Sequence, residues 1–164
     1  MSLELVAESL IYIFPAYSAN AVPAILGGGQ PLDFGKNFKD TRPIFGSHKT
    51  FRGFFAGLLV GTLVGVGESF VFNNYNPLLG FVLSLGAVMG DLAGAFVKRR
   101  LGFAPGALFP IVDQVGFVLC ALLFSLPIEP PTIAEALIIL VVTIPIHLLT
   151  NFLAYLVRLK KKPW

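Results

Sequence analysis

Residues 78–100 read LLGFVLSLGAVMGDLAGAFVKRR. Positions 78–97 hold one ionisable side chain, Asp91, and three consecutive cations follow, Lys98, Arg99 and Arg100. A membrane-spanning helix needs about 20 predominantly apolar residues. The stretch therefore reads as a span that stops at a basic membrane edge. Working outward, the pattern recurs: residues 5–26, 53–72, 107–126 and 133–157 are each long and apolar enough to read the same way. Of the 164 residues, 55% are hydrophobic and 13% charged, with mean hydropathy +0.80. A water-soluble domain carries about 25% charged residues, so a soluble globule and a disordered chain are both excluded. The single cysteine, Cys120, excludes an internal disulfide and a cysteine-based zinc site.

All twelve Lys and Arg residues fall in three clusters. They are Lys36, Lys39, Arg42, Lys49 and Arg52; Lys98, Arg99 and Arg100; and Arg158, Lys160, Lys161 and Lys162. With the N-terminus outside, the loops 27–52 and 98–106 and the tail 158–164 all lie in the cytosol, as the positive-inside rule requires. The connections 73–77 and 127–132 carry no Lys or Arg. The expected architecture is one membrane domain, 1–164. It is an all-α integral membrane bundle of five transmembrane helices in the cell membrane, with a cytosolic C-terminus and a long cytosolic loop after helix one. The first stretch lacks a basic n-region, carries Glu4 and Glu8 and is too long for a signal-peptide core, so it reads as a retained span. Pro15 and Pro23 are its expected kinks. No nucleic-acid partner is expected.

Two stretches carry glycine at four-residue spacing: Gly53, Gly57, Gly61 and Gly65, then Gly86, Gly90 and Gly94. Small residues on one stripe let helix backbones approach closely. Exposed stripes of this kind also allow a homodimer.

Seven of the nine acids sit in loops or near outer helix ends, where water can reach them: Glu4, Glu8, Asp33, Asp40, Glu68, Glu129 and Glu135. Asp91 and Asp113 remain. The first lies six residues before the inner end of its stretch and the second six residues after the inner start of the next. At 1.5 Å per residue both lie about 9 Å below one face. An ionised Asp in hydrocarbon costs at least about 2.5 kcal/mol, and two together repel. A cation between them relieves both costs, and oxygen ligands suit Mg²⁺ or another hard divalent ion. Lys98 follows Asp91 by two helical turns on the same stripe, and Arg99, Lys49 and Arg52 border the same face. A metal with several cations is apparatus for a polyphosphate. By contrast, the Lys160–Lys162 run reads as topology and headgroup attraction. His147, four residues before Asn151, reads as a helix-packing hydrogen bond. His48, beside Lys49, reads equally as a substrate contact or a solvated loop residue.

The segment Gly90-Asp91-Leu92-Ala93-Gly94-Ala95-Phe96-Val97-Lys98-Arg99-Arg100, followed by Leu108-Phe109-Pro110-Ile111-Val112-Asp113-Gln114, resembles the signature of the CDP-alcohol-forming cytidylyltransferases. The loop Pro31-Leu32-Asp33-Phe34-Gly35-Lys36, with Lys49-Thr50-Phe51-Arg52-Gly53 and the Asn20–Pro23 stretch, resembles the archaeal branch, the CDP-archaeol synthases. Against the bacterial branch, Ala95 stands where a Ser is usual and Gln114 where an Arg is usual. A Lys-Asp and a His-Gly-Gly of that branch are missing before Asp113. The resemblance implies Mg²⁺ at Asp91 and Asp113, with Lys98 in the catalytic set. It implies nucleotide contacts by Asn20, Asp33, Lys36, Lys49, Thr50, Arg52 and Arg99. The implied substrates are CTP and an isoprenoid glycerol phosphate lipid in the bilayer, at a site facing the cytosol. A different reading of the same aspartates is a small carrier of an anionic or cationic solute, with Asp91 and Asp113 as its ion site.

Overall fold

The computed structural model describes residues 2–72, 75–107, 109 and 111–160. Leu108 and Pro110 of the signature segment, Asn73 and Asn74 of the outer connection, and Lys161 and Lys162 of the basic run lie outside the described residues. Six helices follow one another: α1 Leu3–Ala21, α2 Pro23–Leu26, α3 Phe51–Val71, α4 Pro77–Arg100, α5 Val112–Ser125 and α6 Ile133–Leu156. Among the described residues the only strand-like pairings are two isolated bridges in the loop after α2. Side-chain caps start the long helices: Ser2 for α1, Thr50 for α3, Asn76 for α4, and a Thr132–Glu135 capping box for α6. Pro23 supplies no N–H, and the first span breaks there into α1 and α2.

Four helical stretches are long and apolar enough to cross a membrane: Leu3–Leu26, Phe51–Val71, Pro77–Arg100 and Ile133–Leu156. The remaining expected span is shorter than its sequence suggests. Rather than running from residue 107, α5 starts at Val112 and has 14 residues, about 21 Å at 1.5 Å each. Gly106 at φ +77° and Ile111 at φ +69° keep the preceding segment out of a helix.

At the centre stands α1, which packs on α3, α4, α5 and α6, while α4 lies between α3 and α5. Its buried residues Ser9, Tyr12, Ile13, Ala16 and Ala19 follow helical spacing. They meet Leu79, Leu83, Ala87 and Val88 of α4, Phe117, Val118 and Ala121 of α5, and Ile139 of α6. The only buried residues of α3 are Gly53, Gly57, Gly61 and Gly65. A Cβ at Gly57 would stand 2.5 Å from the Ala19 carbonyl oxygen, and one at Gly61 would overlap Pro15 O and Ser84 Oγ. On α4, Gly86 and Gly90 likewise meet α5 backbone at Ala121 and Phe117. Except at Gly94, these stripes are therefore occupied by packing within one chain.

The two ends of the bundle differ. At one, Tyr12 Oη donates to Glu129 O (2.6 Å) and Tyr75 Oη to Tyr12 O (3.1 Å). At the other, all three basic clusters meet. There Arg42 Nη1 donates to the Arg100 carbonyl at the end of α4 (2.5 Å).

Candidate active site

The loop 27–50 is an ordered cover. Asp33 is buried, and its carboxylate accepts from the N–H groups of Gly46 (2.8 Å), Phe45 (3.0 Å) and Gly35 (3.0 Å). Burial alone would raise its pKa, but these donors together hold it below the usual carboxylate range. Arg100 lies between the rings of Phe38 and Phe96, 4.9 and 4.7 Å from their centroids. It pairs with Asp40 at 3.1 Å. Asp33 and Arg100 thus fix the loop over the end of α4.

From that loop Lys49 reaches α4. Its Nζ donates to both carboxylate oxygens of Asp91, at 2.7 and 2.6 Å. Lys98, buried near the end of α4, does the same for Asp113, at 2.9 and 2.7 Å. The N–H of Phe109 adds a third donor to Asp113 at 2.8 Å. Asp113 lies in the first turn of α5, where a carboxylate is favoured by the helix dipole. Just before it, Ile111 has φ +69° and ψ −55°, a strained turn conformation for a β-branched residue. The two aspartates do not share one partner: each holds its own lysine.

The two ion pairs nevertheless border one space. Gly94 sits on the α4 stripe between Asp91 and Lys98, and a Cβ there would meet no described heavy atom within 4 Å. Arg99, next to Lys98 in the chain, is 4% exposed, and among the described residues its Nε and Nη1 have no hydrogen-bond partner. A buried guanidinium with free donors is a standing demand for an anion. A cleft lined by Pro23, His48, Lys49, Thr50, Phe54 and Asp91 opens beside this space.

Other expected residues serve different ends. Thr50 is buried, and its hydroxyl accepts from Gly53 N and Gly28 N, both at 3.2 Å. Asp33 faces loop backbone, as above. Lys36 and Arg52 are exposed at the basic end, and Asn20 is half-buried near the end of α1. The space also gains a residue that sequence spacing alone left out: Lys160 turns back from the end of α6 toward it.

Two carboxylates fit Mg²⁺, an ion that binds one or two protein carboxylates and fills its shell with water and substrate phosphate. Among the described residues no third His, Cys, Asp or Glu joins them.

Comparison with known proteins bears on what such a site does. Residues 2–164 match the family model described as CarS-like, CDP-archaeol synthase. A CDP-archaeol synthase of Pyrococcus furiosus is 49% identical over 97% of this chain and 98% of its own length. One from Methanocaldococcus jannaschii is 42% identical over the full length of both. A solved structure described as an intramembrane enzyme for archaeal membrane lipids biosynthesis superposes with a TM-score of 0.84. It is 36% identical and covers 89% of this chain and 94% of that one. With a family match over residues 2–164 and relatives sharing nearly half of their residues with it over almost their whole length, this chain belongs to the CDP-archaeol synthase family.

Proposed function

We propose that this site, on the cytosolic face of the cell membrane, joins CTP to an isoprenoid glycerol ether-lipid phosphate, with Asp91 and Asp113 holding Mg²⁺. As a member of its family the chain is a multi-pass membrane cytidylyltransferase of archaeal lipid biosynthesis. The solute-carrier alternative has no support among its relatives. The observation that carries the residue assignment is the pair of Lys–Asp contacts bordering one open space, backed by the unpartnered donors of Arg99.

When bound, the ion neutralises polyphosphate charge. Lys49 and Lys98 border the space between them and can turn from their aspartates to phosphate oxygens there, and the buried guanidinium of Arg99 adds positive charge beside them. Lys36 and Arg52 extend the cationic surface toward the entering triphosphate. Asp33 acts at a distance, by ordering the loop that carries Lys49. An oxygen of the lipid phosphate attacks the α-phosphorus of CTP. The bond from that phosphorus to the bridging oxygen of the β-phosphate breaks, and pyrophosphate leaves with the electron pair. A phosphate monoester has a second pKa of about 6 and is already anionic at neutral pH. No general base is needed, which fits a site built of cations and carboxylates. Alignment and charge stabilisation carry the catalysis.

The test is pyrophosphate release by purified protein given CTP, Mg²⁺ and the lipid phosphate. Asp91→Asn and Asp113→Asn should each lower turnover at least about 100-fold with the melting temperature retained, and chelation should abolish it. Full activity in Asp91→Asn would refute the assignment.

A further inference from the structure

Among the described residues the chain beyond α6 turns back on the helix. Arg158 adopts φ +61°, and the N–H groups of Leu159 and Lys160 both donate to Ala154 O, at 2.9 and 3.2 Å. This turn brings Lys160 back onto α6, where its Nζ donates to Asn151 Oδ1 at 2.5 Å. An ammonium only donates, so the Asn151 oxygen must face it and the amide nitrogen faces His147 Nδ1, at 3.0 Å. The His147 ring in turn lies 6.2 Å from that of Phe117, one turn beyond Asp113 on α5. The tail is thus linked, side chain by side chain, to the helix that carries Asp113.

Lys160 lies within electrostatic reach of the site. Burial first, and then repulsion from Lys49 and Lys98, hold its pKa below the usual lysine value against the pull of Asp91 and Asp113. Among the described residues its side-chain partner is a neutral amide, and no carboxylate pairs with it. A half-buried ammonium so placed calls for an anion. The surroundings indicate which. In the described structure α6 packs on α1 and α5 but not on α3 or α4. The turn around it is apolar: Tyr155, Leu156, Val157 and Leu159 are exposed there. A groove beside it is lined by Tyr155, Leu156 and Arg158. Cations on an apolar wall suit a phosphate carried on hydrocarbon.

We propose that Lys160, seated on Asn151, binds the phosphate of the lipid substrate and makes the turn after α6 the lipid-side wall of the active site. This rests on the cytidylyl-transfer reading above. The experiment uses the full chain in nanodiscs, with initial rates measured against each substrate. Lys160→Met should raise the KM for lipid phosphate at least about tenfold and leave the KM for CTP within about twofold. Lys160→Arg should restore most of the loss, and Asn151→Leu should move the lipid KM in the same direction by less. A rise in the CTP KM alone, or no change in either, overturns the proposal. A second arm needs no turnover: dodecyl phosphate is titrated into CTP-free protein and followed by phosphorus NMR. Binding to the native chain that Lys160→Met abolishes supports the assignment. Equal binding of inorganic phosphate, or binding that Lys160→Met leaves intact, overturns it. If native protein releases no pyrophosphate, the cytidylyl-transfer reading fails, while this titration still decides the role of Lys160.

Discussion

At the scale of single residues, the site depends on one position with nothing in it. Gly94 lies between the two ion pairs, and its missing side chain leaves room rather than close contact. Gly94→Ala should therefore fold and raise helix stability by up to about 1 kcal/mol, read as a higher melting temperature. Gly94→Leu should fold equally well but fill the space, lowering kcat/KM for CTP at least about tenfold through a raised KM. Asp33 gives the opposite case, a residue whose effect is through structure. Asp33→Ala removes three charge-assisted acceptor contacts, at a cost of about 3 kcal/mol. Amide exchange at Phe45 and Gly46 should then speed up about 100-fold at pH 7. Because its pKa in the folded chain lies below the ordinary value, the loop keeps this stabilisation above about pH 4. It loses it as pH falls through the folded value, so exchange in the native loop should be flat from pH 5 to 8 once intrinsic rates are corrected. Asp91 and Asp113 stood out in the sequence because a charge inside an apolar stretch needs a reason, and Lys49 and Lys98 because they border the same face; that each aspartate takes its own lysine was not readable there. Lys160 did not stand out, since a Lys run at a membrane edge has an ordinary explanation and only the turn at Arg158 brings its side chain back.

Among the elements, α3 carries the sharpest test of packing. Its buried surface is glycine and its other faces are exposed apolar side chains such as Phe55, Leu59 and Leu63. Gly57→Val would drive a side chain into the Ala19 carbonyl. It should cost about 3 kcal/mol or more, seen as loss of a monodisperse peak in detergent and a lowered melting temperature. Gly67→Ala, with nothing within 4 Å, should be neutral or slightly stabilising by the same measurements. The four-residue spacing made this stripe readable in advance. The start of α5 was not readable in the same way. Apolar composition is continuous through 107–111, whereas the helix is delayed by positive φ at Gly106 and Ile111, a backbone property that hydropathy does not register. That delay has a functional result: it sets Asp113 in the first turn of α5, where Lys98 and the Phe109 N–H can reach it.

For the whole molecule, the question is whether so short a helix completes a crossing. At 14 residues, α5 covers about 21 Å of a hydrocarbon core near 30 Å. Its far end nonetheless reaches the opposite face, because Tyr12 bonds to Glu129 beyond α5 and Tyr75, before α4, bonds to Tyr12. The connections on either side of the α4–α5 pair therefore share one end, and the segment 101–111 makes up the missing depth at the basic end. Three traverses, α3, α4 and α5, then separate the loop 27–50 from the connection after α5. With Cys120→Ala as background, Ser47→Cys and Pro130→Cys place single thiols at exposed positions on the two sides. A membrane-impermeant maleimide should label Pro130→Cys in intact cells and Ser47→Cys only in inverted vesicles, as the clustering of basic residues around Ser47 requires. Labelling of both from one side would mean that α5 does not cross. The basic end and the connection after α5 would then face the same side, and the assignment of the proposed site to the cytosolic face would lose its support.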